Sequence, residues 1–147
     1  MKYPSLTSYQ EVIQTPSIAF SDPELRECRP EVNNWGVPRA ASGGFALTFH
    51  LLSPTKEWAV RCFHKDISGL ETRYRCISSF LRSNPSERFV GFEYQPTGLL
   101  VEGTFYPLVK MEWVQGKLLN EYVESVLKEP LKLRGLRDDF RALVNEL

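Results

Sequence analysis

Residues 45 to 52 set the first constraint on the fold. Phe45, Leu47, Phe49 and Leu51 alternate with Ala46, Thr48, His50 and Leu52, and a period of two sends successive side chains to opposite faces of a strand. Ser53-Pro54-Thr55-Lys56 reads as a turn, and Trp58 to Phe63 as a second strand. Three further strands are predicted at Arg88 to Gln95, Leu99 to Glu102 and Thr104 to Val114. Pro96-Thr97-Gly98 and Glu102-Gly103 supply the turns between them. Strands joined this closely pair antiparallel, as a meander.

One helix interrupts the meander. Ile67, Leu70, Tyr74, Ile77 and Leu81 step by three and four, which gives a single apolar stripe facing the sheet. Ser68-Gly69-Leu70-Glu71 has capping-box spacing at its start, and Asn84-Pro85 stops it. After Gly116 the pattern turns helical. Leu119, Tyr122, Val123 and Val126 mark one helix up to Pro130, and Leu136, Phe140, Leu143 and Leu147 mark another. The expected class is α+β: a five-stranded antiparallel sheet with one crossing helix, followed by a helical segment.

Before residue 37 the chain is punctuated by Pro4, Pro16, Pro23, Pro30 and Gly36, which leaves room for short elements. Ser21-Asp22-Pro23-Glu24 reads as a helix start, with a capping side chain, proline in the first turn and an acid at the positive end. This stretch is expected to wrap on the sheet as an extension. The predicted organisation is an extension over 1–36, a lobe over 37–116 and a helical stub over 117–147.

A length of 147 residues fits one domain of the usual ~100–200. Eighteen Lys and Arg balance eighteen Asp and Glu, so the cation surplus that drives nucleic-acid binding is lacking and no nucleic-acid partner is expected. No apolar run approaches the roughly 18 residues of a membrane span, so no membrane partner is expected. Met1-Lys2-Tyr3-Pro4-Ser5 carries no apolar leader. Cys28, Cys62 and Cys76 are odd in number and form no C-x-x-C clip, so neither a disulfide framework nor a zinc site is expected, and the reading is cytoplasmic.

Three segments carry chemistry in a fixed order. Ala41-Ser42-Gly43-Gly44-Phe45-Ala46-Leu47-Thr48 is a small-residue loop entering a strand, Trp58-Ala59-Val60-Arg61 lies on the next strand, and a late strand ends in Lys110-Met111-Glu112-Trp113-Val114-Gln115-Gly116. In this order and spacing the chain resembles the amino-terminal lobe of the eukaryotic-type protein kinases, and most nearly a divergent bacterial kinase-like group. The resemblance implies a nucleotide site. Ala41, Gly43 and Ala46 would stand at the three loop-glycine positions, with Gly44 beside them and Phe45 at the tip. Thr48 would lie under the adenine, Ala59 and Arg61 would take the alanine and lysine of V-A-I-K, and Met111 would be the gatekeeper. Glu112, Trp113 and Val114 would form the hinge, the backbone of Glu112 and Val114 pairing with adenine. ATP with magnesium is the implied ligand.

The departures point away from catalysis. Two loop glycines are alanines, whose methyl groups obstruct close approach to phosphate. Arg61 puts a wide planar fork where the family has a compact ammonium. The one helix acid is Glu71, in the first turn, where it reads as a capping acid. Nothing after Gly116 supplies H-R-D-x-x-x-x-N or D-F-G, the segments that hold the base and the metal. The chain alone is therefore expected not to be an enzyme. Two readings follow: a nucleotide-binding lobe that is catalytically incomplete, or a pseudokinase-type interaction module that needs no ATP and binds a partner, or itself, through the helical stub. His50 and His64 read as structural, Cys62 and Cys76 as core thiols, and Arg73, Arg75, Arg82 and Arg88 as solvated surface.

Overall fold

The computed structural model describes residues 2–146. The chain divides into two compact units, one reaching to Trp113 and the other starting at Val114. The first holds α1 (Leu6–Ile13), α2 (Pro16–Ala19), α3 (Pro23–Arg26), β1 (Arg29–Pro30), β2 (Ala40–Ser42), β3 (Ala46–Leu52), β4 (Glu57–Phe63), α4 (Leu70–Ser83), β5 (Phe92–Val101) and β6 (Thr104–Glu112). The second holds α5 (Leu119–Ser125) and α6 (Pro130–Glu146). The architecture is mixed α+β around an antiparallel sheet in the order β1-β3-β4-β6-β5, with β2 also pairing to β3.

The sheet has six strands among the described residues, where the sequence pattern gave five. Two causes act in opposite directions. Short β1 and β2 lie end to end along one edge of β3: Arg29 and Pro30 oppose Leu52 and Leu51, and Ala40 to Ser42 oppose Phe49 to Leu47. Pro96-Thr97-Gly98, expected as a turn, instead lies inside the ten-residue β5 as an irregularity between Gln95 and Leu99. Proline is tolerated there because β5 ends the sheet order, where a missing N–H costs no ladder bond. Glu102 and Gly103 do make the expected hairpin turn, with φ of 48° and 77°. The flanking strands start later and end sooner than expected, at Phe92 and Glu112.

The alternation in β3 sorts the core. Leu47, Phe49 and Leu51 join Trp58, Val60, Cys62, Leu99, Val101 and Leu108 on one face, covered by Tyr9 and Ile13 of α1, Ala19, Phe20 and Leu25. Tyr9 is fully buried, and its hydroxyl donates to the Phe63 carbonyl at 2.5 Å. Burial pushes its pKa up, so the phenol stays a donor. Ala46, Phe63 and Val109 face the other way and pack with Leu70 and Tyr74 of α4.

Helix α4 differs from its pattern in three ways. It begins at Leu70 after Gly69, which is left-handed at φ 72° and offers no side chain, so the Ser68–Glu71 capping box does not form. Ser78, not Ile77, is turned inward, where its Oγ donates to the Phe92 carbonyl at 3.2 Å. That rotation leaves Ile77 half-exposed and Cys76 exposed, so Cys76 is not the core thiol expected. Cys62 is in the core, with its pKa pushed up by burial. No helix among the described residues is long and apolar enough to cross a membrane.

Candidate functional site on the open sheet face

Residues directly opposite in an antiparallel pair share a face. Thr48 opposes Arg61, which opposes Val109; His50 opposes Ala59, which opposes Met111 and then Phe92. Thr48, Ala59, Arg61 and Met111 therefore line one sheet face in two adjacent rows, the face that α4 also packs on. The remaining predicted residues divide. Gly43 and Gly44 form the β2–β3 turn, closed by the Gly43 N–H donating to the Ala46 carbonyl at 2.9 Å. Neither glycine has a left-handed φ, and an added Cβ would meet nothing closer than 3.4 Å, so the chain's own packing does not demand glycine at either position. Glu112 opposes Trp58 and so belongs to the other face. Val114 is the first residue of the second unit.

Arg61 is the cation of the open face. It is half-buried, and its guanidinium carbon lies 4.9 Å from the Phe45 ring centroid, a cation–π contact that joins β4 to the tip of the glycine turn. No carboxylate lies within ion-pairing distance of it among the described residues. Glu71, the helix acid, pairs with Arg75 at 2.8 Å instead. His64 braces the turn from below: its N–H donates to the Phe45 carbonyl at 3.0 Å, and its ring Nε2 lies 3.2 Å from the Gly43 carbonyl. A planar cation with free donors, held beside a glycine turn, can take an oxyanion bidentately.

Toward the other end of the same face is a cluster that spacing along the chain concealed. His50 Nδ1 lies 3.0 Å from Glu31 Oε2, and His50 Nε2 lies 2.9 Å from Glu57 Oε2. The Glu31 carboxyl is held below the usual range, first by the hydrogen bond to His50 and also by the nearby Arg39, although burial opposes this. The His50 ring stacks on Trp113 with centroids 3.8 Å apart and planes 13° apart. The His50 ring comes from β3 and the Trp113 ring from the residue just after β6, on either side of β4, and Ala59 of β4 is only 9% exposed.

The opposite face carries a second charged group. Lys110 is 5% exposed, with its ammonium 2.8 Å from Asp22 Oδ2, 2.6 Å from Glu24 Oε2 and 4.3 Å from the Trp58 ring centroid. A groove of about 660 Å³ opens beside it, walled by Phe89, Val90 and Phe92 and edged by Glu112. The groove's buried cation is already matched by two carboxylates, whereas Arg61 has none at ion-pairing distance among the described residues. No group of three or more His, Cys, Asp or Glu side chains that could hold a metal ion occurs among the described residues. No family model, curated protein or solved structure matches this chain.

Proposed function

We propose that the chain is a protein-kinase-like nucleotide-binding lobe that does not transfer phosphate by itself. The observation that carries this reading is the gathering of Thr48, Ala59, Arg61 and Met111 on one sheet face, with the half-buried, acid-free Arg61 against Phe45 of the glycine turn. The order of glycine turn, cation-bearing strand, crossing helix and two more strands supports it as well. Phosphate oxygens would take the Arg61 donors and the free space over Gly43 and Gly44. Catalysis needs more than this: a base, metal-binding acids and a fixed cation. Glu71 is engaged by Arg75 and leaves Arg61 without its helix partner, and the sequence holds no H-R-D-x-x-x-x-N or D-F-G segment.

ATP with magnesium at about a hundred times its Kd is expected to raise the melting temperature by roughly 5–10 °C. Arg61→Gln is expected to remove most of that shift, with no phosphotransfer in either protein. An unchanged melting temperature across millimolar ATP would overturn the reading. The interaction-module alternative is favoured by a different observation: α6 exposes Leu131 at 80% and Phe140 at 60%.

A further inference from the structure

The geometry points to Trp113 as the platform on which the base of the bound nucleotide stacks, an inference that rests on the nucleotide reading above. Trp113 continues the alternation of β6 onto the face of Met111, and its N–H donates to the Glu57 carbonyl at 3.0 Å. One face of its indole is held by the His50 ring. That ring is itself fixed, with 12% of its side chain exposed and a carboxylate at each nitrogen. Arg39 holds Glu31 in turn, at 2.8 Å. The indole is thus oriented before any ligand arrives, which lowers the ordering cost of binding. Trp113 remains 36% exposed, so ring surface is open to a second planar group. Ala59, by contrast, is buried beside the stack and offers a base little surface.

The spacing selects the ligand class. Glu57, which anchors Trp113, lies four residues before Arg61 on β4, or about 13 Å at the rise of a strand. A ligand touching both needs a planar ring at one end and an anion at the other, with a sugar and more than one phosphate between. Nucleoside di- and triphosphates meet that requirement, and a nucleoside monophosphate falls short. Stacking reads a π-face and no hydrogen-bond pattern, so ATP and GTP should bind within a few-fold of each other.

The test uses the whole chain with Trp35→Phe, which removes the exposed indole at that position and leaves buried Trp58 and Trp113 as the emitters. ATP is expected to quench the fluorescence, while inorganic tripolyphosphate, which carries only the anionic end, competes with ATP without quenching. Trp113→Leu should weaken ATP about tenfold and leave tripolyphosphate unchanged. Trp113→Tyr, which keeps a flat ring and guards against a folding failure of the leucine variant, should retain most of the ATP affinity. If Trp113→Leu binds ATP as tightly as the parent while Arg61→Gln loses it, the platform is wrong and the nucleotide reading stands. If the parent binds neither ATP nor tripolyphosphate, both fall together.

Discussion

Lys110 is the residue on which the first unit's charges converge. An ammonium this deep is tolerated because Asp22 and Glu24 both reach it from α3, and Asp22 also accepts the Glu24 and Leu25 N–H groups as the helix cap. One side chain thus ties a four-residue helix to the middle of the sheet. Lys110→Ala leaves Asp22 in place without its counter-charge, and the expected cost is about 3–5 kcal/mol, measured by urea unfolding. The same group sets an acid dependence. Burial raises the Asp22 pKa, but hydrogen bonds from Lys110, Gln95 and the Leu25 N–H, with the Lys110 charge, outweigh it and leave the pKa lowered. A lowered carboxylate stabilises the fold above its unfolded pKa and loses that contribution as pH falls through the folded value. Stability should therefore decline below about pH 4, and Lys110→Met should flatten that decline in a pH series of unfolding curves. His50 shows the limit of reading residues one at a time. Its partners are 19 and 7 positions away, so no local spacing marks them. Counting register back from the Ser53–Lys56 turn would have brought Glu57 beside it.

At the scale of elements, β3 was legible because it buries alternate residues through most of its length, which leaves a period in the sequence, and β4 because it is a short apolar run, buried on both faces, directly after a turn. β1 and β2, at two and three residues, are too short to have a period. β5 was misdivided because Pro96 and Gly98 usually announce a turn, and their meaning changes at an edge. Gly98 has a packing reason to be glycine: a Cβ there would sit 2.5 Å from Leu108 Cγ, and Leu108 is fully buried. Gly98→Ala should accordingly destabilise the protein by about 1–3 kcal/mol, read from denaturant midpoints. Gly44→Ala, which meets nothing within 4 Å, is the matched control and should change stability little. That Thr48, Ala59, Arg61 and Met111 share one sheet face was legible for a related reason. Motif order fixes which strands carry Thr48, Ala59, Arg61 and Met111, and antiparallel register does the rest.

For the molecule as a whole, the contrast between the units matters most. The first carries nearly all the buried apolar residues, while in the second only Val126 is buried among those described. Helix α6 begins at Pro130, where proline suits the first turn, and its Leu131, Phe140 and Val144 remain largely exposed. If that surface drives self-association, analytical ultracentrifugation should show a concentration-dependent dimer that Phe140→Asp abolishes. A monomer at all concentrations, indifferent to the substitution, would count against that reading. Sequence periodicity revealed these helices but not what covers them, because a stripe has the same spacing whether it faces a core or another chain.

The placement of β1 and β2 end to end along β3 has a bearing on how the protein behaves when concentrated. That rim of the sheet is already hydrogen-bonded by the chain's own short strands. The far rim is partly occupied too: Phe20 bridges to Leu99, and the Ser21 N–H donates to the Gly98 carbonyl. The strands that now form the near rim are only two and three residues long and include Pro30, so they offer a neighbouring molecule a short template, and the rest of β5 carries Pro96 and Glu93 as natural gatekeepers. Fibril growth by strand addition is thus obstructed at both borders of the sheet.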